Sequence, residues 1–197
     1  MKITKEWLSE KSACEDGMDW FDRFGKSDSV LVMEGLLSES KLDWANWLIV
    51  RLLNRKDKIR YAIFAAEQVI SLFEKKCPED KRPRLAIEAA KAVIENDTKE
   101  TRAAACAAYA AANTAALAAG DAAYAAANTA ACAANTAACA ANADRDAAYV
   151  AYVAYADAAA AMAAAWAAGA AAGDEMKEKI VRYGLKLHKK GTLAVKA

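Results

Sequence analysis

The stretch DAAYAAANTAACAANTAACA, residues 121–140, belongs to an alanine-rich tract that dictates a helical architecture. The tract runs from Ala103 to Ala172 and contains 43 alanines among its 70 residues. Alanine enters a helix without losing side-chain freedom, so the tract predicts helix over almost its whole length. Methyl groups cannot bind metals, transfer protons or attack a carbonyl. The composition therefore favours a scaffold or a binding surface over a catalytic one.

Helix breaks divide the tract. An unbroken helix from Thr101 to Ala172 would be about 108 Å long, which is too long for a domain of this size. Gly120-Asp121 and Asn142-Ala143-Asp144 each combine a helix stop with a residue that caps the next helix. We therefore expect three antiparallel helices, at 98–119, 121–142 and 144–172.

Between the alanines, the other residues recur every seven positions. Asn128, Asn135 and Asn142 form one such series, and the pair Cys132 and Cys139 keeps the same spacing. A seven-residue period predicts one stripe that faces one neighbouring helix. Alanine on such a stripe lets two helix axes approach to about 8 Å. Leucine at a seam position should then cost about 1–3 kcal/mol through overpacking.

The first hundred residues supply the large apolar side chains. Helical spacing predicts one amphipathic helix that begins at Leu42 and carries Trp44 and Trp47. A second amphipathic helix carries Ile59 to Phe73 on one face and ends near Lys76. We expect the alanine helices to dock on the large side chains of these two helices, Trp44, Trp47, Phe64 and Phe73.

Capping residues predict the ends of the shorter helices. Thr4, a capping box formed by Ser12 and Glu15, and Asp28 mark three helix starts, and Gly25 closes the second helix. Asp97 and Glu100 repeat the capping-box spacing just before the tract. After the tract, Gly173-Asp174 begins a last helix that ends near Lys190.

These patterns predict an all-α protein. We expect a compact antiparallel helical bundle, with small mixed helices at the N-terminus and closely packed alanine-rich helices in the C-terminal half. A length of 197 residues suits a single domain, 1–197, with sub-regions at 1–100, 101–173 and 174–197. The 27 basic and 26 acidic residues give a net charge of +1, which argues against nucleic acid as a partner.

The sequence indicates a cytoplasmic protein. The N-terminal residues MKITKEWLSEK lack the apolar core of a secretory signal. The nearest approach to a membrane span, Ala147 to Ala172, is only weakly apolar and contains Asp157. We therefore expect no membrane partner, and we expect the five cysteines to be reduced thiols.

The charged segment CPEDKRPR, residues 77–84, is the most distinctive local motif. In one interpretation it is a turn between helices, in which Asp80 caps the next helix, Pro83 lies in the first turn, and Arg82 or Arg84 pairs with a carboxylate. In the other, Arg82 and Arg84 contact a partner directly, since a guanidinium can donate two parallel hydrogen bonds to a carboxylate or phosphate.

Two further groups are candidates for partner binding. Tyr149, Tyr152 and Tyr155 recur every three residues and, together with Trp166, either anchor a partner or fill the core. The lysines and arginine between Lys177 and Lys190 form either a solvated helix face or a surface for an acidic partner.

No catalytic or metal-binding constellation emerges from the residues. Cys132 and Cys139 lie about 10 Å apart along a helix and cannot bond to each other. The single histidine, His188, leaves no Ser/His/Asp set, and no phosphate-binding glycine motif occurs. We therefore expect no metal, no cofactor and no enzymatic activity.

Residues from about 44 to 172 resemble a known family. The runs AAEQVISLFE at 65–74 and PEDKRPRLAIEAA at 78–90, followed by the alanine-rich region, are similar to the Imm5-like immunity proteins. That family comes from polymorphic-toxin gene neighbourhoods, and similar reading frames occur in phages. The resemblance implies a small cytosolic protein that binds and neutralises another protein. Relatives often carry histidines in the alanine helices, whereas this tract has none.

The sequence thus leads to two functional hypotheses. The first is a non-enzymatic inhibitor or immunity-type protein, of bacterial or phage origin, that binds a toxin or a host defence protein. It would act as a monomer or a closed dimer. The alternative is a structural or self-assembling protein whose alanine faces join copies of the chain.

Overall fold

The computed structural model describes residues 1–119, 121–139 and 173–194. Within these ranges the chain is helical, and its one β feature is an isolated antiparallel bridge between Lys2 and Asp28. The described helices are α1 (Lys5–Glu10), α2 (Glu15–Phe24), α3 (Ser29–Ser38), α4 (Leu42–Leu52), α5 (Arg55–Lys76), α6 (Arg82–Glu95), α7 (Lys99–Ala119), α8 (Asp121–Cys139) and α9 (Asp174–Ala194). The prediction of an all-α helical bundle is confirmed.

Local capping sets the ends of the first helices. The Thr4 hydroxyl accepts a hydrogen bond from the Trp7 N–H at 3.2 Å and so caps α1. Asp28 caps α3 through a bond from the Val30 N–H at 3.0 Å. Gly25 follows α2 with φ of 67°, a left-handed conformation that glycine adopts without strain. These three predictions are confirmed.

The predicted capping box of Ser12 and Glu15 is wrong. Helix α2 begins after Cys14, and Ser12 instead lies in the turn that closes α1, with φ of 58°. In that turn the Ser12 N–H donates to the carbonyl of Ser9. The prediction fails because α1 ends only two residues before Ser12. Ser12 therefore belongs to the turn that follows α1 and does not cap α2.

The predicted capping box of Asp97 and Glu100 is also wrong. Thr98 and Thr101 form the reciprocal pair instead, with each hydroxyl accepting from the other residue's N–H, at 3.2 and 3.0 Å. The Asp97 carboxylate is held by Arg55 at 2.6 Å and by Arg102 at 2.9 Å. Because its carboxylate pairs with these two arginines, Asp97 does not cap α7.

Helix α8 lies at the centre of the bundle. It packs against α5, α6 and α7. Every residue from Ala125 to Ala137 is buried. The expectation of one stripe facing one neighbour is therefore wrong for α8. A helix made almost entirely of small side chains can accept neighbours on all sides, and here it does.

The two buried threonines of α8 find their hydrogen-bond partners within the helix. Thr129 and Thr136 are fully buried, and each hydroxyl donates to the carbonyl four residues earlier, at 2.7 and 2.8 Å. Hydroxyls bonded in this way can be buried without the cost of an unmade hydrogen bond. The repeated threonines therefore stay compatible with the packed interior.

The large side chains that support the described alanine helices come from α5 and α6. Phe73 on α5 is fully buried, as are Ile87 and Val93 on α6. In contrast, Trp44 and Trp47 lie on α4, which packs mainly on α3 and α9. The expectation that these two tryptophans support the tract is wrong for α7 and α8, because α4 belongs to a second layer.

Aromatic stacking and one glycine place α9 against both α4 and α5. Phe64 of α5 stacks on Tyr183 of α9 with ring centres 4.0 Å apart. A Cβ atom at Gly184 would lie 2.7 Å from Ile49 Cγ1 and 2.8 Å from the Tyr61 ring. Only glycine allows α9 to approach this closely. The buried Tyr61 hydroxyl donates to Asn46 Oδ1 at 2.7 Å.

The helix boundaries within the tract are partly confirmed. One helix ends at Ala119 and the next begins at Asp121, and the two pack against each other, as the break at this position predicts. Helix α9 begins at Asp174 after Gly173, as expected, but continues to Ala194. The predicted helix at 144–172 lies outside the described residues.

Substitution of a central alanine tests this packing. We expect Ala130→Leu to lower the free energy of unfolding by about 1–3 kcal/mol, because Ala130 is fully buried in α8. Urea unfolding at neutral pH measures the change. The matched control is Ala107→Leu on the exposed face of α7, where we expect a change within about 0.5 kcal/mol. Equal effects of the two substitutions would contradict the central position of α8.

Candidate functional site

The charged segment between α5 and α6 forms a turn between helices. Helix α6 begins at Arg82, and Pro83 lies in its first turn, where the missing N–H costs nothing. The Asp80 carboxylate accepts a hydrogen bond from the Arg82 backbone N–H at 3.1 Å. It thereby satisfies one of the N–H groups that a helix leaves unpaired at its start.

Arg82 and Arg84 each hold a carboxylate through two guanidinium nitrogens. Nε and Nη2 of Arg82 donate to Asp80 at 2.9 and 2.6 Å. The same atoms of Arg84 donate to Glu74 at 2.8 and 2.7 Å, which ties α6 to α5. These bonds hold the pKa of the Asp80 and Glu74 carboxyls below their ordinary values.

The two arginines also remain accessible to a partner. Their side chains are 42% and 37% exposed, although one edge of each guanidinium is already engaged. A guanidinium carries five N–H groups, so a second acceptor can still approach. The geometry therefore fits the interpretation as a structural turn and leaves room for direct contact with another protein.

The three tyrosines named as partner-binding candidates, Tyr149, Tyr152 and Tyr155, lie outside the described residues. Their assignment to an interface or to the core stays a prediction. Two described tyrosines differ in their burial. Tyr61 is fully buried, whereas Tyr183 is half-buried and stacks on Phe64.

A buried Ser/His pair, which the sequence analysis did not foresee, joins α3 to α9. The Oγ atom of Ser29 lies 2.8 Å from Nε2 of His188, although 159 residues separate them in the chain. Ser29 is fully buried, so its hydroxyl cannot meet a substrate from solvent. Burial lowers the pKa of His188, and the nearby N-terminal amino group acts in the same direction. We conclude that the pair is a structural tie.

An apolar groove of about 300 Å³ opens between the α1–α2 pair and α4. Trp20 and Phe21 of α2 line one side, and Trp44 and Trp47 of α4 line the other. Phe21, Trp44 and Trp47 are only half-buried. The helical spacing of Trp44 and Trp47 predicts core positions for both, and it does not reveal the groove. The signal that could have found it is the sharp separation of apolar and acidic residues in α2.

The described ranges offer little for metal or thiol chemistry. Among the residues described, no group of three or more His, Cys, Asp or Glu side chains is arranged to hold a metal ion. Burial raises the pKa of the Cys132 thiol to about 11, which disfavours the reactive thiolate. No helix in the same ranges is long and apolar enough to cross a membrane.

Comparison with known proteins gives one clear relationship. Residues 49–158, more than half of the chain, match the family described as "Imm-5 like putative immunity protein". The chain belongs to the Imm5-like family. No curated protein and no solved structure matches it.

The Imm5-like region contains the central bundle and the charged turn. It begins at Ile49, near the end of α4, and includes α5 to α8 with Arg82 and Arg84. Helices α1 to α3 and α9 lie outside the match. The apolar groove is lined by residues from Leu8 to Leu48 and so lies wholly outside it.

The Arg84–Glu74 pair predicts a pH dependence in this Imm5-like protein. We expect Arg84→Ala to lower the free energy of unfolding by less than about 1 kcal/mol at neutral pH, because both groups are partly exposed. The folded pKa of Glu74 lies below its ordinary value of 4.5. The pair therefore stabilises the folded protein at pH values above the ordinary pKa, and this stabilisation is lost as the pH falls through the lowered pKa of folded Glu74.

Urea unfolding of wild type and Arg84→Ala from about pH 6 to about pH 3 checks this expectation. The stability difference between the two proteins should shrink as the pH falls. Glu74→Gln serves as the partner control, and the double variant should be no less stable than either single variant. A difference that stays constant with pH would show that the pair does not act as described.

Proposed function

We propose that this protein is a non-enzymatic inhibitor that binds another protein, a toxin or a component of host defence, and neutralises it. The observation that carries the proposal is the family match over residues 49–158, because the family is described as one of immunity proteins. Binding alone suffices for such a role.

The packing of the bundle supports inhibition by binding. A surface built on a densely packed interior loses little conformational entropy when a partner docks. Here α5, α6 and α7 surround α8, whose residues from Ala125 to Ala137 are buried. The exposed elements of this bundle are therefore held by a rigid centre, which favours tight association.

Arg82 and Arg84 are proposed contacts to the partner. Their guanidinium groups already lie in fixed positions through Asp80 and Glu74, so little side-chain entropy remains to be lost on binding. We retain Tyr149, Tyr152 and Tyr155 as proposed aromatic anchors, since tyrosine is enriched at the centres of interfaces.

We also propose that the protein acts in the cytoplasm. Cys14, Cys77, Cys106 and Cys132 carry free thiols, and Cys14 and Cys106 are exposed. Exposed thiols persist in a reducing compartment.

Self-assembly remains the second candidate, because one helix face favours it. Beyond its first turn, helix α7 exposes Ala103, Ala107, Ala110 and Thr114, which carry no charge. The burial of α8 within a single chain argues against self-assembly, because alanines that are buried inside one chain cannot join two copies of it. Light scattering distinguishes the two candidates. An inhibitor should show a molar mass that does not change with protein concentration. A self-assembling protein should show a molar mass that keeps growing as the concentration rises.

Co-expression with a candidate toxin from a polymorphic-toxin gene neighbourhood tests the proposed function. We expect the protein to restore growth and to elute with the toxin as one complex in size-exclusion chromatography. Arg82→Ala/Arg84→Ala should weaken the complex if the turn touches the partner, whereas the exposed control Lys186→Ala should not. Failure of the wild type both to restore growth and to form a complex would contradict the proposal.

A further inference from the structure

Two cavities adjoin each other between the start of α5 and the C-terminal part of α9. Their volumes are about 360 and about 440 Å³. Three residues line both cavities, Asp57 of α5 together with Leu187 and Gly191 of α9. The cavities therefore meet at these residues and form one cleft, the α5–α9 cleft. Cavities of this size hold small organic molecules.

Gly191, which lines both cavities, is not required by the packing of α9. A Cβ atom at this position would have no neighbour within 4 Å among the described residues. Gly184 of the same helix differs, because Ile49 and Tyr61 leave no space there for a Cβ. Glycine weakens a helix interior relative to alanine, and it serves where a ligand must approach the backbone closely. The open space beside Gly191 is therefore typical of a ligand-binding position.

The first cavity suits an apolar ligand body. Its apolar lining consists of Met1, Leu52, Leu53 and Leu187. The buried polar side chains beside them already have partners. The Asp57 carboxylate accepts a hydrogen bond from Asn54 Nδ2 at 2.7 Å, and Nε2 of His188 lies 2.8 Å from Oγ of Ser29. An apolar group in this cavity thus leaves none of these polar groups unmatched.

The second cavity suits a negatively charged head group. Arg60 and Lys190 line it, and both are exposed, so a ligand can enter from solvent. Nη1 of Arg60 donates to Asp57 at 2.7 Å, which leaves other N–H groups of the guanidinium for a second acceptor. Lys190 forms no ion pair among the described residues. Because the charges of Arg60 and Asp57 offset each other, Lys190 gives the lining of this cavity a net positive charge.

We propose that the α5–α9 cleft binds a small amphiphilic carboxylate. The hydrocarbon body lies beside Gly191 in the first cavity, and the carboxylate pairs with Arg60 and Lys190 in the second. The cleft lies at the start of α5, whereas Arg84 binds Glu74 about 25 Å further along that helix. The inference therefore goes beyond the proposed function and does not rest on it.

Three small molecules serve as probes of the cleft. Octanoate combines a hydrocarbon chain with a carboxylate, octylammonium keeps the chain and reverses the charge, and acetate keeps the charge and lacks the chain. We expect octanoate to bind at least about tenfold more tightly than either of the others. Isothermal titration calorimetry measures the affinities. Absence of octanoate binding at millimolar concentration, or equal affinity for octanoate and octylammonium, would overturn the proposal.

Charge reversal at the second cavity locates the head group. Lys190→Glu should weaken octanoate binding about tenfold, because it replaces the attracting charge by a repelling one. The matched control Lys186→Glu makes the same change in net charge at an exposed position of α9 that lines neither cavity. It should leave the affinity within about twofold. Equal weakening by the two variants would show that the carboxylate does not bind at Lys190.

Filling the space beside Gly191 locates the hydrocarbon chain. Gly191→Leu should abolish octanoate binding without lowering the urea midpoint, because leucine favours a helix and its Cβ meets no neighbour. Circular dichroism and the urea midpoint verify that the variant is folded. Lys186→Leu adds the same side chain to α9 outside the cleft and should leave binding intact. Unchanged octanoate affinity of the folded Gly191→Leu variant would contradict the proposal.

These measurements use the protein without a toxin, so they are independent of the proposed function. If octanoate does not bind while the wild type still neutralises a toxin, the cleft is not a carboxylate site and the proposed function stands. If octanoate binds as described while no toxin is neutralised, the proposed function fails and the carboxylate site stands.

Discussion

Close packing of alanine around α8 is the constraint on which the rest of this structure depends. Every residue of this helix from Ala125 to Ala137 is buried, and α5, α6 and α7 all contact the helix. Methyl groups bury little apolar area, so this arrangement gains stability only if the helix axes approach closely. The larger side chains of α5 and α6 then supply the apolar burial that alanine lacks.

Features governed by neighbouring residues could be predicted from the sequence. The caps at Thr4 and Asp28 and the stop at Gly25 depend on local hydrogen bonds and backbone conformation, and each is present. The capping box at Ser12 failed because the end of α1 uses that residue. The box at Asp97 failed because an arginine from α5 holds the carboxylate, a contact that spacing along one helix cannot show.

The candidate sites follow the same division. The charged turn could be predicted because Asp80, Arg82 and Arg84 lie close together in sequence. The groove could not, since it forms only when α1 and α2 are placed against α4. The family-matched residues build the central bundle, whereas the groove lies on the helices that precede them.

Native-state hydrogen exchange tests the central position of α8 most directly. If the other helices enclose α8, its amides from 125 to 137 exchange only when the whole protein unfolds. Their opening free energies should then equal the global free energy of unfolding measured with urea. Exchange of these amides at a markedly lower free energy, while α5 and α6 stay protected, would show that α8 opens independently and would contradict the account.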